Sequence, residues 1–223
     1  MKLVLFDCDG TLVDSQHAII TAMTRGWRAL GLGDPDPALV RRVAALAPTE
    51  MIAALLPGAE DGLIKRLAGL YRSAYYQPAP FHQSAAEPLV AGMREALAAL
   101  GARGFALGVA TGKSRRGLAA VLDHHGLTGA FVTLQTADHC PGKPDPEMVL
   151  RALADSGSTV ADAVVIGDSP LDIEMAGRAG VPAIGVSWGY HGAAELARAG
   201  ARRVVDSPAE MALAVVDLLD DRQ

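Results

Sequence analysis

Residues 3–15 read LVLFDCDGTLVDS, an apolar run that ends in two aspartates, Asp7 and Asp9. The segment from Leu3 to Phe6 has the composition of a buried strand. A carboxylate at the end of such a strand loses hydration, and a second carboxylate beside it adds repulsion. Because this is a poor choice for stability alone, the pattern predicts a functional site at the end of the first strand.

The composition of the chain limits its class and its partners. The 223 residues are 50% hydrophobic and 4% aromatic, with a formal net charge of −5. This length permits one large core and a smaller appended unit. Basic residues form no long runs, so neither nucleic acid nor an anionic membrane is expected as a partner. We expect a small-molecule partner and a monomer or homodimer.

Targeting signals and cysteines point to the cytoplasm. No apolar run approaches the ~18 residues of a membrane helix, and the start does not resemble a cleaved signal. The two cysteines, Cys8 and Cys140, have neither CxxC nor Cys/His spacing, so we expect no disulfide framework and no zinc site. Cys8 is interpreted as a small buried hydrophobe.

Short apolar runs alternate with helix-like stretches, which is typical of a parallel sheet covered by helices on both faces. The sequence therefore predicts the α/β class, with a doubly wound, Rossmann-like sheet. The six predicted strands are Leu3 to Phe6, Phe105 to Ala110, Phe131 to Thr136, Ala163 to Gly167, Ala183 to Trp188 and Arg203 to Val205.

The alternation breaks between the first two strands. Residues 16 to about 79 contain four helical segments and no convincing strand, and the chain returns through QPAPFHQSAAEP, residues 77–88, a predicted hinge. The segments are 16–32, 37–46, 49–56 and 61–76. We predict a core domain of residues 1–14 and 83–223, with an all-helical cap domain, residues 15–82, inserted into it.

Polar residues follow three of the predicted strands, where ligands bind in open parallel sheets. They are Asp7, Asp9 and Thr11 after the first strand, Thr111, Gly112 and Lys113 after the second, and Asp168 and Asp172 after the fourth. The proline-rich loop PGKPDP, residues 141–146, presents Lys143. Several carboxylates at one edge repel one another unless a cation lies between them, and Mg²⁺ suits such a set best. With Lys143 and Thr111 available to an anion, this pattern predicts a phosphoryl-transfer site.

Four motifs occur in a fixed order: DCDGT, the strand that ends in Thr111, Lys143 in GKPDP, and GDSPLD. Together they resemble the four motifs of the haloacid dehalogenase-like hydrolase superfamily, and the helical insert is similar to its first cap type. The likeness covers essentially the whole chain. Its phosphoglycolate phosphatase-like branch is the most similar.

The resemblance implies a role for each motif residue. Asp7 would be the nucleophile that forms an aspartyl-phosphate, and Asp9 the general acid and base, with its carbonyl on the metal. The transferring phosphoryl group would be bound by Thr111, the Gly112 backbone and Lys143. Asp168 would be a direct metal ligand with Asp172 in support, and Thr11 is a further candidate for substrate binding.

The implied activity is magnesium-dependent hydrolysis of a small phosphomonoester, with 2-phosphoglycolate as the first candidate. The acid/base Asp9 separates phosphatases from the dehalogenases of the superfamily. One alternative is a sugar phosphomutase of the β-phosphoglucomutase type, although DGTLVDS resembles the phosphatase form more. A second alternative is a non-catalytic binding or regulatory protein, against which the intact motif set argues.

Some of these residues also have structural interpretations. Ser169 and Asp172 have capping-box spacing around Pro170, an interpretation compatible with metal support by Asp172. Asp145 is expected to be a helix N-cap. Asp14 and Ser15 are expected to form the turn and cap that open the insert.

Two groups near the motifs have open interpretations. Lys113, Arg115 and Arg116 crowd a helix start, where the dipole opposes cations. Either one of them, Arg115 being the candidate, binds an anionic substrate, or all three reach solvent. The segment SWGYHG, residues 187–192, also has two interpretations. Either Trp188, Tyr190 and His191 line the substrate entrance, or Trp188 covers a helix end.

Overall fold

A computed structural model describes residues 1–76 and 87–220 of the chain. Six strands pair in parallel in the order β3-β2-β1-β4-β5-β6, which confirms the predicted doubly wound sheet. They are β1 (Leu3–Phe6), β2 (Ala106–Thr111), β3 (Thr133–Thr136), β4 (Ala163–Gly167), β5 (Ala183–Val186) and β6 (Arg203–Val205). The strand order reverses beside β1, so the crevice at its carboxyl end is the expected ligand site.

Helices cover both faces of the sheet and form the insert. Those of the described residues are α1 (Gln16–Ala29), α2 (Pro37–Val43), α3 (Pro48–Leu55), α4 (Asp61–Tyr76), α5 (Met93–Ala102), α6 (Arg115–His124), α7 (Glu147–Ser156), α8 (Pro170–Arg178), α9 (Ala193–Arg198) and α10 (Pro208–Asp220). Within the described residues, no helix combines the length and apolar character that a membrane span requires.

Side chains of β1 alternate between two apolar clusters, as the two-residue repeat of a strand requires. Val4 and Phe6 pack with residues of α5, α6 and α10, whereas Leu3 and Leu5 pack with residues of α7 and α8. Because both faces of β1 are covered, the strand is apolar throughout. The buried strand β1 is therefore fixed in the sheet, and Asp7 lies at its carboxyl end.

A third apolar cluster, the cap cluster, lies within the insert. The helix α1 buries residues at 19, 22, 23, 26 and 27, the spacing of one helical face, and packs along α4. The cluster contains Ile19, Ala22, Met23, Trp27, Val40, Ala44, Met51, Ile52, Leu67, Ala68 and Tyr71. No strand residue belongs to it among the described parts of the chain, which supports the predicted all-helical cap.

The ends of some elements differ from the sequence prediction. The strand β5 ends at Val186, two residues before the predicted end, because the chain then turns and the indole of Trp188 donates a hydrogen bond to the carbonyl of Thr11, 3.1 Å away. The predicted hinge, residues 77–88, lies outside the described residues except for Glu87 and Pro88. The domain boundary at residues 82 and 83 lies outside them as well, and the division at 15–82 therefore stays a proposal.

Substituting Met23 by alanine tests this division. Met23 is fully buried in the cap cluster, and removal of its side chain is expected to destabilise the cap by about 2–5 kcal/mol. Amide hydrogen exchange should then speed up in α1–α4 more than in β1 and β4. The matched control is Met148→Ala, at a fully buried position of the sheet core, which should show the reverse. Equal acceleration in both regions for both variants would contradict two domains.

Candidate active site

The carboxyl ends of three central strands bring the predicted motif residues together. Asp7 follows β1 directly, Asp168 follows β4 directly, and Thr111 is the last residue of β2. All three side chains are buried. Parallel pairing in register places these strand ends side by side, as the sequence predicts.

Lys143 lies between two of the carboxylates. Its Nζ is 2.7 Å from Oδ1 of Asp7 and 2.6 Å from Oδ1 of Asp172, and the side chains of all three residues are almost fully buried. Burial alone would lower the pKa of Lys143, but the charges of Asp172 and Asp7 outweigh it and raise the pKa above its ordinary value. Lys143 is therefore a permanent cation.

The single positive charge of Lys143 does not neutralise the negative charge of this cluster, because Asp168 adds a third buried carboxylate. Burial raises the pKa of Asp7 well above its ordinary value, Lys143 opposes that rise, and Asp172 and Asp168 add to it. Burial, followed by repulsion from Asp172, raises the pKa of Asp168 to about 7. Without a further cation the cluster therefore resists full ionisation.

The geometry of the carboxylates fits a divalent cation. One oxygen from each of Asp7, Asp168 and Asp172 lies within 4.8 Å of the others, and all three residues are buried. Carboxylate oxygens are the ligands that a hard cation such as Mg²⁺ takes, and an excess of buried negative charge is what such an ion neutralises. These residues therefore fit the predicted metal site.

Asp168 is held rigidly in that position. Its Oδ1 accepts a hydrogen bond from the hydroxyl of Thr11, and its Oδ2 accepts one from the backbone N–H of Tyr190, both at 2.9 Å. A Cβ at Gly10 would lie 2.4 Å from Asp168, and one at Gly189 would lie 2.2 Å from it, so only glycine fits at either position. Thr11, a candidate for substrate binding, thus orients Asp168 in this structure.

The side chain of Asp172 forms the predicted capping box and also contacts Lys143. Its Oδ2 accepts hydrogen bonds from the backbone N–H and the hydroxyl of Ser169, and the hydroxyl accepts one from the N–H of Asp172, which completes the capping box. Its Oδ1 faces Lys143. One carboxylate thus caps α8 and contributes charge to the site.

Gly112 lies where the cap loop meets the core. A Cβ at this position would be 3.0 Å from the carbonyl oxygen of Ala45 and 3.2 Å from that of Leu46, both in the loop between α2 and α3. Because these neighbours are backbone atoms, they cannot move aside as a flexible side chain would. The absence of a side chain at Gly112 therefore permits the cap to approach the site.

The second aspartate, Asp9, lies outside the carboxylate cluster. Its Oδ1 accepts a hydrogen bond from the hydroxyl of Ser15 and lies 2.9 Å from Nζ of Lys113. Ser15 occupies the predicted N-cap position of α1, but its side chain binds Asp9 and makes no cap hydrogen bond. The carboxylate of Asp14 accepts from the N–H of Gln16 instead, 3.2 Å away.

The structure does not bring Arg115 to this site. Its side chain is exposed, and its backbone N–H donates to Asp138 at 2.7 Å. It is Lys113, two residues earlier, that is buried beside Asp9. The sequence predicts Asp145 as the N-cap of α7, but Pro146 occupies that position, one residue later; the carboxylate of Asp145 accepts a hydrogen bond from the N–H of Glu147 at 3.0 Å.

The loop of residues 187–192 supports the site from β5. Trp188 binds the carbonyl of Thr11, and the backbone of Tyr190 binds Asp168. The hydroxyl of Tyr190 also lies 2.9 Å from that of Ser15. His191 is buried beside them. Among these residues, Trp188 and Tyr190 thus brace the first motif.

A cavity of about 150 Å³ separates the cap from the core next to Asp9. Cap side chains line one side of it and the second motif lines the other. The lining residues include Ile19, Leu46, Met51, Tyr71, Arg72 and Tyr75 of the cap, and Asp9, Gly112, Lys113 and Asp138 of the core. The cavity thus lies between the cap, Asp9 and the second motif.

Sequence reasoning missed two residues of this region, Tyr75 and Glu87. The hydroxyl of Tyr75 donates to Glu87 and accepts from Lys113, and Glu87 lies 3.2 Å from Lys113. Neither residue belongs to a motif. The only sequence signal is the position of Glu87 directly before Pro88, where the chain re-enters the core.

Comparison with known proteins identifies the class of this chain. Residues 4–186 match the family described as haloacid dehalogenase-like hydrolase, and the chain belongs to that family. A phosphoglycolate phosphatase from Rhodospirillum rubrum is 36% identical over 200 residues, which cover 85% of this chain and 80% of the relative. The prediction of a phosphatase of this superfamily is thereby confirmed.

Two further similarities cover nearly the full chain. An N-acetylmuramic acid 6-phosphate phosphatase from Pseudomonas aeruginosa is 33% identical over 224 residues, 99% of this chain and 95% of the relative. The crystal structure of a hydrolase from Pseudomonas syringae covers 100% of this chain and 99% of its own, with a TM-score of 0.83 and 25% identity. The similarity thus includes the cap as well as the core.

The charge imbalance predicts how Mg²⁺ affects stability. The folded metal-free protein keeps a proton on Asp168, with a pKa of about 7, that the unfolded chain releases near 3.8, so stability falls as pH rises between these values. Bound Mg²⁺ favours the ionised form and should offset this loss. At a hundred times Kd, Mg²⁺ should add about 2.7 kcal/mol, or roughly 5–10 °C in Tm.

The measurement is thermal unfolding from pH 5 to pH 8, with Mg²⁺ and with chelator. We expect the Tm difference between the two to grow with pH and to disappear in Asp168→Asn. The exposed Asp123→Asn is the control and should behave as wild type. A Tm difference that is independent of pH, or that persists in Asp168→Asn, would contradict this account of the cluster.

Proposed function

We propose that this chain hydrolyses small phosphomonoesters with Mg²⁺ as cofactor and Asp7 as nucleophile. The observation that carries the proposal is the contact of one Asp7 oxygen, Oδ1, with two donors, the backbone N–H of Cys8 at 2.6 Å and Nζ of Lys143 at 2.7 Å. These contacts fix the rotation of the carboxylate. Its second oxygen, Oδ2, is then the attacking atom.

In the first step, Oδ2 of Asp7 forms a bond to phosphorus while the bond from phosphorus to the ester oxygen breaks. Asp9 enters this step protonated and transfers its proton to the departing oxygen, which leaves as an alcohol. Lys143 and the hydroxyl of Thr111 bind the transferring group and stabilise its charge. The result is an aspartyl-phosphate and an ionised Asp9.

In the second step, Asp9 takes a proton from a water molecule as the water oxygen attacks phosphorus. The bond between phosphorus and Asp7 breaks, and inorganic phosphate leaves. Both steps use the same proton carrier, so the enzyme returns to its starting state after each turnover. The position of Asp9 at the cavity, beside the leaving group, suits this double role.

The carboxylates of Asp7, Asp168 and Asp172, with the carbonyl of Asp9, would hold Mg²⁺. When bound, this ion supplies the positive charge that lets an anionic phosphate approach three carboxylates. The similarity to named phosphatases and the fit of the carboxylate cluster support this assignment.

The substrate class is a small phosphorylated metabolite. The cavity beside Asp9, about 150 Å³, favours a compact leaving group. The relatives named above act on phosphoglycolate and on N-acetylmuramic acid 6-phosphate, according to their names. We therefore propose 2-phosphoglycolate as the first candidate. The monomeric or homodimeric state and the cytoplasmic location stay predictions.

Phosphate release from a panel of phosphomonoesters tests the proposed function. The panel contains 2-phosphoglycolate, sugar phosphates and N-acetylmuramic acid 6-phosphate, each with Mg²⁺ and with chelator. We expect release only with Mg²⁺, and Asp9→Asn should lower kcat by about 10²–10⁴-fold. Asp7→Asn should abolish release, because an amide is a poor nucleophile. Asp123→Asn again serves as the control.

Two results would contradict the proposal. Isomerisation of a hexose phosphate without release of phosphate would identify a phosphomutase. Folded protein that binds Mg²⁺, yet releases no phosphate from any ester, would favour a non-catalytic role.

A further inference from the structure

Lys113 is the centre of a buried cluster of polar side chains, and none of the roles assigned to the four motifs explains it. Its Nζ lies 2.9 Å from Oδ1 of Asp9, 3.2 Å from Oε2 of Glu87 and 2.7 Å from the hydroxyl of Tyr75. Only 2% of the Lys113 side chain is exposed. An ammonium group so buried needs partners of this kind, and three of them converge on it.

The charges around Lys113 keep it protonated. Burial by itself would lower its pKa, but Asp9, Tyr75 and Glu87 outweigh burial and raise the pKa well above the ordinary value. The Nζ atom also lies 4.7 Å from the centre of the Tyr75 ring, within the range of a cation–π contact. Glu87 and Tyr75 thus hold the Nζ of Lys113 in place in addition to its contact with Asp9.

The two partners come from different parts of the chain. Tyr75 belongs to the cap helix α4, and its hydroxyl also donates to Glu87. Glu87 is the first residue described after the gap at 77–86, and its backbone carbonyl lies 2.9 Å from Nε2 of His125 in the core. Tyr75 of the cap and Glu87, where the chain returns to the core, therefore both contact Lys113 of the second motif.

Lys113 and Ser15 both bind the same oxygen of Asp9, Oδ1. Two donors on one oxygen fix the rotation of the carboxylate. Oδ2 has no comparable partner among the described residues, and Asp9 lines the cavity. Proton exchange with the leaving group can therefore use Oδ2 in a fixed orientation.

We propose that Lys113 is a positioning residue for Asp9, and that Tyr75 and Glu87 make this positioning depend on the seated cap. The inference rests on the proposed function, since it assigns a means of orienting the acid of that reaction. When the cap lifts, Tyr75 leaves Lys113, and Asp9 loses part of its support. Proton transfer is thereby restricted to the closed state, in which the cap excludes bulk water.

The dependence on leaving group distinguishes positioning of an acid from general loosening of the site. An alkoxide needs a proton in order to leave, whereas 4-nitrophenolate leaves without one. Poor orientation of Asp9 should therefore slow the release of an alcohol and spare the release of 4-nitrophenolate in a single turnover. A purely structural defect should slow both.

The experiment compares the best alkyl phosphate of the panel with 4-nitrophenyl phosphate, in single turnovers with Mg²⁺. Tyr75→Phe should slow alcohol release about tenfold, and Lys113→Met about a hundredfold, with nitrophenolate release changed less than about twofold. Lys113→Arg keeps the charge and should restore part of the loss. The readout is the ratio of the two rates at saturating substrate, because Lys113 and Tyr75 also line the cavity and their substitution changes substrate binding as well.

Arg42→Ala provides the matched control. Arg42 of α2 lies 3.3 Å from Glu195 of α9, so this ion pair also joins cap to core, but on the surface and away from Lys113. Its loss should leave the ratio of the two rates unchanged. Tyr75→Phe removes a single oxygen atom, and it tests the inference even if Lys113→Met fails to fold.

The outcomes separate this inference from the proposed function. An active wild type whose Tyr75→Phe variant loses the same factor on both esters, or loses nothing, would overturn the inference alone. A wild type without activity on any ester would overturn the proposed function, and the inference with it. Selective loss of alcohol release in Tyr75→Phe, absent in Arg42→Ala, would establish the positioning role.

Discussion

The buried ammonium group of Lys143 is the interaction on which the rest of the site depends. It lies within 2.7 Å of Asp7 and 2.6 Å of Asp172, and without it the end of β1 and the first turn of α8 would each present an uncompensated carboxylate inside the protein. Removing one partner of such a buried pair costs several kcal/mol, because a desolvated charge remains. A single lysine still leaves negative charge in excess once Asp168 is included. The remaining imbalance is what makes the site suited to a divalent cation.

The sheet and the cap contribute different parts of the candidate site. Parallel strands fix the carboxylates and Thr111 within the core, while the cap supplies the other wall of the cavity and the hydroxyl of Tyr75. Gly112 permits the cap backbone to approach because it has no Cβ. In the proposed reaction the same short segment, Thr111 to Lys113, therefore binds the transferring group, admits the cap and supports Asp9. Residues with proposed roles in the reaction therefore lie where the second motif contacts the cap.

The sequence predicted the sheet and the placement of Asp7, Asp168 and Lys143 because those features depend on local patterns and on a general rule for parallel strands. It selected Arg115 rather than Lys113 as the basic residue of the site, since both stand at the start of one helix and their spacing does not show which one is buried. The turn before α6 buries Lys113 and exposes Arg115. Tyr75 and Glu87 meet only through tertiary packing across the insert, and no spacing in the sequence indicates that contact. The hydroxyl of Ser15 likewise binds Asp9 rather than its own helix, because the chain folds back on the first motif.

The central claim is that the carboxylate at the end of β1 becomes phosphorylated during turnover. Rapid acid quenching of the protein during hydrolysis, followed by proteolysis and mass spectrometry, tests it most directly. The account predicts a phosphorylated peptide that contains Asp7, labile to hydroxylamine as an acyl phosphate is. The amount of this peptide should fall to zero with chelator and in Asp7→Asn. A phosphate found on another residue, or rapid turnover with no phosphorylated peptide at any time, would contradict the account.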